Sequence, residues 1–271
     1  MVNREMIATP TEAPIVARLR TCFLGGAVGD ALGAAVEFMR RSEILATFGP
    51  DGIRDMAPCY GKVGGITDDT QMALFTAEGL IRARVRAANR GISHPPSVIS
   101  YAYQRWLYTQ DATHPLQKSA LDGWLIEQSA LFSRRAPGNT CLSALRAMQR
   151  SGQAADNNSK GCGGVMRVAP VGMFFAARDA ADLGEPNEAS IAECIALGSE
   201  VARLTHGHPS GYLSAGAFSV LIYLLLANRS LNEACDAMLD VLEQQPSHEE
   251  TSRMLRDARR LARECPDDPE C

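Results

Sequence analysis

Residues 64–71 read GGITDDTQ, and the rest of the chain is organised around this stretch. Thr67 is a good N-cap, and it would place the adjacent carboxylates Asp68 and Asp69 in the first turn of a helix. Adjacent carboxylates repel each other, and a helix N-terminus offsets part of that repulsion through its free N–H groups and its dipole. A divalent cation would offset more, and hard oxygen ligands suit Mg²⁺ or Mn²⁺ better than zinc.

An ordinary helix start is the other interpretation of the same residues. An N-cap threonine followed by acidic side chains is common at helix N-termini whether or not a ligand binds there. Taken alone, Thr67, Asp68 and Asp69 leave both interpretations open.

Composition and periodicity favour an all-α fold. The chain has 271 residues, of which 46% are hydrophobic and 6% aromatic. Alanine and leucine are plentiful, and period-2 alternation is almost absent, so helices are favoured over strands. We predict one compact domain of about ten helices over residues 15–264, with an N-terminal tail at 1–14 and a C-terminal tail at 265–271.

Charge and hydropathy exclude some classes of partner. A net charge of −4 and a pI near 5.8 argue against a general nucleic-acid binder. Residues 1–14 lack the apolar core of a signal peptide, and the apolar run at 217–227 is too short to span a bilayer. The cysteines are scattered and form no C-x-x-C pair. These features predict reduced thiols, a cytoplasmic location and no membrane partner.

Capping residues, glycines and prolines predict the helix boundaries. The predicted helices are 15–33, one capped by Ser42 to residue 48, 67–88, one capped by Ser97, 119–132, one capped by Asn139 or Thr140, 187–205, 209–227, one capped by Ser230, and one capped by Ser247 to residue 264.

Two acidic residues lie among small apolar neighbours near the end of the first helix. Asp30 and Glu37 follow the glycines of residues 25–33, GGAVGDALG. Burying such carboxylates is costly unless they are paired or bound to metal. Simple solvation of both residues is the alternative, and the sequence leaves it open.

The second unusual stretch is glycine-rich. Residues 160–170 read KGCGGVMRVAP, with a helical pattern directly after the glycines. Exposed backbone N–H groups at a helix N-terminus form an anion site, although a flexible connector fits this loop equally well. Further along, His206 and His208 are either metal ligands or simple helix caps.

Three stretches together resemble the ADP-ribosylglycohydrolase family, in order and in spacing. They are GGAVGDALG at 25–33, GITDDTQM at 65–72 and KGCGGVMRVAP at 160–170, followed by Thr205-His206 before a long apolar helix. The resemblance implies a compact all-α fold with a two-ion Mg²⁺ or Mn²⁺ centre. It also implies hydrolysis of the bond between ADP-ribose and an acceptor, such as a protein side chain or a related ADP-ribose derivative.

Carried over residue by residue, the resemblance implies specific roles. Thr67, Asp68 and Asp69 would bind metal, and Glu37 would be a further ligand or the catalytic base, with Asp68 and Asp69 also in the catalytic group. Asp30 would support the metal side. The substrate-binding residues would be Lys160, Gly161, Cys162, Gly163, Gly164, Val165, Met166, His206 and Asp111.

One departure from the family pattern is clear. The family completes its metal centre with a late Asp-x-Asp-Thr motif, and this chain has none, so the fold is apparently short at its C-terminus. We therefore expect one weakly held ion rather than two. The alternative function is a non-catalytic ADP-ribose-binding or interaction protein. Apolar surface near the C-terminus would promote self-association.

Overall fold

The computed structural model describes residues 14–111, 121–182 and 184–265, and this part of the chain contains ten α-helices and one two-stranded hairpin. The all-α prediction is therefore confirmed. The elements are α1 (Pro14–Gly33), α2 (Arg41–Phe48), β1 (Pro58–Cys59), β2 (Lys62–Val63), α3 (Asp68–Arg90), α4 (Pro95–Gln110), α5 (Asn139–Ala147), α6 (Ala169–Ala181), α7 (Glu188–Arg203), α8 (Pro209–Leu226), α9 (Leu231–Leu242) and α10 (Glu249–Glu264).

Helix α8 lies at the centre of the core. It is long and apolar enough to cross a membrane by length and composition, but 56% of it is buried inside the fold. Neighbouring helices approach it closely through glycines. A Cβ on Gly172 of α6 would lie 2.3 Å from the carbonyl oxygen of Ser219, and one on Gly198 of α7 would lie 2.4 Å from the Ser219 hydroxyl oxygen. This packing agrees with the predicted core helix.

Helices α3 and α4 form a second packed layer. Phe75 of α3 and Ile99 and Trp106 of α4 are completely buried. A Cβ on Gly79 would lie 2.8 Å from the Cα of Ile99, so the two helices cross at backbone distance. This contact holds the middle of α3 against α4, while the first turn, which carries the two aspartates, is joined to α1 by hydrogen bonds to Asp30.

Helix α1 has one face without neighbours among the described residues. The helix continues through its glycines, as predicted, and Ala31 is its one buried residue. A Cβ added at Gly25, Gly26, Gly29 or Gly33 would meet no atom within 4 Å. Leu24 and Val28 are 59% and 55% exposed beside them.

The predicted helix at 119–132 is wrong over its described part. Residues 121–128 are not helical, and a short 3-10 helix at Ser129–Leu131 follows. Gly123 has a φ of 104°, which interrupts any helix, and its neighbour Asp122 forms an ion pair with Arg82. Residues 119–120 lie outside the described part.

Several predicted N-caps also differ. Helix α4 starts at Pro95 with His94 as N-cap, and the Ser97 hydroxyl instead bonds to the ring of His94. Ser42 lies inside α2, and Ser247, with a φ of 61°, precedes the true N-cap of α10, His248. The helix can start before Ser97 because the φ angle of proline is already helical, and proline is favoured in the first turn. The starts after Asn187 and after Ser230 are as predicted, whereas the N-cap of α5 is Gly138 and not Asn139 or Thr140.

The predicted tails at 1–14 and 265–271 lie almost entirely outside the described residues. Within the described part, Cys22, Cys59, Cys141, Cys162, Cys194 and Cys235 are free thiols, as predicted. Cys265 is disulfide-bonded, so the prediction of reduced thiols is wrong for that residue.

Candidate functional site

Asp30 joins the end of α1 to the start of α3. Its carboxylate accepts hydrogen bonds from the backbone N–H and hydroxyl of Thr67 (2.9 and 2.6 Å) and from the N–H and hydroxyl of Thr70 (3.2 and 2.5 Å). Thr67 is the N-cap of α3 and accepts from the N–H of Asp69 at 3.4 Å, as predicted. The charge of Asp30 is therefore satisfied by the N-terminus of α3.

The two aspartates of α3 are both held in a poorly solvated environment. The pKa of Asp68 is raised to about 7, chiefly by burial and also by the nearby charges of Asp69 and Glu37, while an N–H···O bond of 3.2 Å from Gly138 partly opposes the rise. Burial, Asp30 and Glu37 raise the pKa of Asp69 to about 6. Such a pair favours a proton or a cation over two free negative charges.

Glu37 lies on the exposed side of the same site. Partial burial and the charge of Asp30 raise its pKa. With Asp30, Thr67 and Asp69 it lines a cavity of about 480 Å³ between α1, the start of α3 and α6. The structure therefore brings together the acidic residues that the sequence selected.

The described residues do not form a complete metal site. Among them, no group of three or more histidines, cysteines, aspartates or glutamates is placed to hold one ion. The Thr67 hydroxyl also donates its proton to Asp30, although one lone pair stays available. Asp68 and Asp69 could contact a weakly held cation, whose other ligands would be water or substrate oxygens.

The glycine-rich loop forms a short 3-10 helix, Cys162–Gly164. The N–H groups of Val165 and Met166 both donate to the carbonyl of Cys162. Within the described residues, the N–H groups of 162–164 themselves make no hydrogen bond to a protein acceptor. The sequence predicted that a helix follows the glycines at once. In the structure, residues 165–168 intervene and α6 begins at Ala169.

Glycine is required in this loop because its backbone is packed tightly. A Cβ on Gly163 would lie 2.8 Å from the sulfur of Cys141 and 3.0 Å from Cε1 of His206. A Cβ on Gly164 would lie 2.9 Å from the carbonyl oxygen of Gly211. The loop is therefore pressed against the turn between α7 and α8, which does not fit the alternative of a flexible connector.

The two histidines of that turn have different roles. His208 is the N-cap of α8 and accepts a hydrogen bond from the N–H of Ser210 at 3.0 Å. His206 is 1% exposed, and its Nδ1 lies 2.8 Å from the hydroxyl oxygen of Thr205. Burial, with the charge of Arg167, lowers the pKa of His206 to about 4, so its ring is neutral at pH 7.

Two other residues predicted to bind substrate are engaged with protein partners. The ammonium group of Lys160 lies 2.7 and 2.9 Å from the carboxylate oxygens of Glu250 on α10. Asp111 pairs with Arg146 of α5 at 3.2 Å. Met166 lines the cavity beside the aspartates, and Val165 packs against the core. The substrate roles of these four residues stay predictions.

The structure adds residues that the sequence did not single out. The carbonyl of Arg135 accepts from the N–H of Asp68 at 3.1 Å, while the guanidinium of Arg135 donates to the carbonyl of Ile66 at 3.0 Å. Together with Gly138 they surround the first turn of α3. No motif spacing marks the loop that contains Arg135 and Gly138, so only the three-dimensional structure reveals it.

The fold and this arrangement match a known class of hydrolases. A family model described as ADP-ribosylglycohydrolase matches residues 11–270, and the chain belongs to this family. The chain is 30% identical over 223 residues to ADP-ribosyl-[dinitrogen reductase] glycohydrolase of Rhodospirillum rubrum, covering 79% of this chain and 59% of that protein.

Two further relatives carry no functional name. The Escherichia coli (strain K12) protein YegU is 27% identical over 245 residues, covering 88% of this chain and 61% of that protein. An Archaeoglobus fulgidus protein is 27% identical over 165 residues, covering 58% of this chain and 43% of that protein. The chain thus spans about three-fifths of the length of the first two curated relatives.

Proposed function

We propose that this protein hydrolyses the glycosidic bond between ADP-ribose and an acceptor, which is a modified protein side chain or a related ADP-ribose derivative. The observation that carries the proposal is the position of the Asp68–Asp69 pair beside the glycine-rich loop. The negative charge of Asp69 reaches that loop, because it contributes, after burial, to the raised pKa of Cys162. Met166, two residues after Gly164, lines the same cavity as Asp30, Glu37 and Asp69, so the carboxylates and the end of the glycine-rich stretch are neighbours.

The two parts of the cleft suit different parts of such a substrate. The backbone N–H groups of 162–164 can donate hydrogen bonds to the diphosphate oxygens without any cationic side chain. The carboxylates would act at the ribose whose glycosidic bond is cleaved. Cleavage there passes through an oxocarbenium-like state, and a carboxylate with a raised pKa can accept the proton of the attacking water. Glu37 is the most accessible of the three acidic groups and is our candidate for this base.

A bound Mg²⁺ or Mn²⁺ would supply charge stabilisation at the ribose hydroxyls and at the attacking water. Asp68 and Asp69, with Thr67 and Glu37 at the edge, are the residues that would hold it. Because the described residues contain no group of three acidic, histidine or cysteine ligands around one point, we propose one weakly held ion rather than two.

That incomplete ligand set also supports a second candidate function. The glycine-rich loop and His206 can bind ADP-ribose whether or not the carboxylates hold metal. A protein with this cleft and no working metal site would bind ADP-ribose without hydrolysing its derivatives.

Calorimetric titration of ADP-ribose separates the two candidates. Binding that requires Mg²⁺ supports the hydrolase, whereas equal binding with Mg²⁺ and with a chelator supports the metal-independent binding protein. No binding under either condition contradicts both.

A hydrolysis assay then tests catalysis. Mg²⁺-dependent release of ADP-ribose from an ADP-ribosylated peptide is expected for the wild type, with losses of at least about a hundredfold in Asp68→Asn and Asp69→Asn. Asp51→Asn is the matched control, because Asp51 lies in an exposed i,i+3 ion pair with Arg54. Full activity in both site variants would refute the roles assigned to the pair.

A further inference from the structure

Arg167 is a buried cation without a buried anion. Its side chain is completely buried, and among the described residues no carboxylate lies within ion-pair distance of it. Its guanidinium donates to the carbonyl of Val201 at 3.2 Å and to the hydroxyl of Thr205 at 2.7 Å, and it lies 4.5 Å from the ring centroid of Tyr103. An unpaired buried charge is costly, so its retention calls for a role beyond packing.

The hydrogen bonds around Thr205 determine where its proton points. The hydroxyl oxygen accepts from Arg167 and has one proton to donate. Two acceptors lie within reach, Nδ1 of His206 at 2.8 Å and the carbonyl of Ala202 at 3.4 Å. The Ala202 carbonyl already accepts two N–H bonds at 3.0 Å, from the backbone of Thr205 and of His206. The shorter contact to His206 therefore receives the proton.

This arrangement fixes the tautomer of His206. If Nδ1 accepts a hydrogen bond, the ring proton of a neutral imidazole is on Nε2. Nε2 faces the glycine-rich loop, since a Cβ on Gly161 or Gly163 would lie 3.4 Å from it. Among the described residues no hydrogen-bond partner of Nε2 is present, although the residue is only 1% exposed.

We propose that Arg167 and Thr205 are positioning residues that hold His206 as the Nε2–H tautomer, so that the loop at 161–164 receives one uncharged hydrogen-bond donor for a substrate oxygen. The identity of that substrate as ADP-ribose rests on the proposed function, but the tautomer does not. A neutral Nε2–H group adds one directional hydrogen-bond donor to the backbone N–H groups of the loop. It does not change the net charge of the cleft.

The tautomer can be read directly by NMR. In protein labelled with ¹⁵N-histidine, long-range ¹H–¹⁵N correlations at pH 7 distinguish a protonated from an unprotonated ring nitrogen. The spectrum of His206→Gln assigns the His206 signals. We expect an unprotonated Nδ1 and a protonated Nε2 in the wild type. A protonated Nδ1 would overturn the proposal, with or without any ligand.

Variants of Thr205 test its part in the arrangement. Thr205→Val keeps the shape but removes the hydroxyl, so a mixed or reversed tautomer is expected, with ADP-ribose affinity lowered up to about tenfold. Thr205→Ser restores the hydroxyl and should restore both readouts. An unchanged His206 tautomer in a folded Thr205→Val protein would overturn the proposal. If that variant fails to fold, the wild-type tautomer decides the question.

A double-mutant cycle shows whether Thr205 acts through His206. Gln at position 206 carries an amide N–H and has no tautomer to fix. Thr205→Val should therefore weaken ADP-ribose binding in the wild-type background and have no further effect in the His206→Gln background. Equal losses in both backgrounds would contradict action through His206. If the wild type binds no ADP-ribose but shows the expected tautomer, the proposed function fails and the positioning role stands.

Discussion

The carboxylate of Asp30 accepts hydrogen bonds from both the backbone N–H and the hydroxyl of Thr67, at 2.9 and 2.6 Å. Because Thr67 caps α3, this single contact sets the position of the first turn that contains Asp68 and Asp69. Asp30 thus supports the site, and the N-terminus of α3 stabilises its charge through hydrogen bonds. This position agrees with the supporting role that the family resemblance implied.

Removing that charge should destabilise the fold. Asp30→Asn replaces one acceptor oxygen by an N–H₂ group, which faces donors from Thr67 and Thr70. We expect the free energy of unfolding to fall by roughly 2 kcal/mol, because hydrogen bonds to a charged group are lost and donors are left unpaired. Urea denaturation at pH 7 measures the change. A loss no larger than that of the exposed Asp51→Asn variant would contradict the supporting role of Asp30.

The raised pKa values of the aspartate pair predict a pH dependence of stability. The pKa values of Asp68 and Asp69 are about 7 and 6 in the folded protein and 3.8 in a model peptide. Between about pH 4 and pH 7 the folded state binds more protons than the unfolded state, so these groups make stability fall as the pH rises. At about 1.4 kcal/mol per pKa unit the two shifts set an upper limit of roughly 7 kcal/mol, and solvent screening of this partly exposed pair reduces the loss expected without metal to several kcal/mol.

The comparison with Asp68→Asn isolates this effect. His206 acts in the opposite direction between about pH 4 and the ordinary histidine pKa of 6.5, because its lowered pKa makes stability rise with pH. The difference in stability between Asp68→Asn and the wild type cancels that contribution. We expect Asp68→Asn to be the more stable protein at pH 8 and the two to converge near pH 4. A constant difference across the range would show that Asp68 titrates normally.

The same electrostatics predict a response to Mg²⁺. At pH 8 both aspartates are ionised, so a cation that binds between them relieves repulsion and stabilises the folded state. Thermal unfolding should shift to higher temperature with Mg²⁺ in the wild type and not in Asp68→Asn. A titration fitted by one ion per chain is expected. Identical shifts in the two proteins would mean that the cation binds elsewhere.

The sequence predicted helices well where a cap or a glycine marks their ends. Thr67, Asn187 and Ser230 are N-caps in the structure, because their side chains accept from the first turn. Prediction was wrong at 119–132, where an apolar pattern is overridden by the positive φ of Gly123. Local patterns report what a segment prefers, and long-range contacts decide such cases.

The sequence motifs of the site could be recognised in advance, but the long-range ion pairs and hydrogen bonds of its residues could not. The motifs around Asp30, Asp68 and Gly163 were visible as unusual runs of small and acidic residues, and the structure brings them together. The ion pair of Lys160 with Glu250 joins residues 90 positions apart, and no local signal announces it. The same holds for the buried Arg167, whose role depends on Thr205 38 positions later.

Two glycine substitutions, one on the open face of α1 and one in the packed helix α6, should have opposite effects on stability. Gly25→Ala adds a methyl group that meets no atom within 4 Å, so it should stabilise the helix by about 0.5–1 kcal/mol. Gly172→Ala would place its Cβ 2.3 Å from the carbonyl of Ser219 and should cost about 3 kcal/mol. Thermal unfolding of dilute protein measures both. A destabilising Gly25→Ala would show that another segment packs on this face.

Self-association stays a prediction, and exposed apolar side chains lie on two surfaces that could take part in it. Near the C-terminus, Leu231 and Met254 are 60% and 59% exposed, but they lie on different helices. On α1, Leu24 and Val28 are one turn apart beside the open glycines. A contiguous apolar stripe favours association more than isolated residues do, so we expect α1 to contribute more.

Sedimentation velocity over a range of concentrations tests this expectation. The wild type should sediment faster as its concentration rises, and the double variant Leu24→Glu/Val28→Glu should remain monomeric. Met254→Glu is the matched control, because it places the same charge on an exposed apolar residue of α10. If Met254→Glu alone abolished association, the C-terminal region would be the interface. A wild type that stays monomeric at every concentration would contradict self-association through either surface.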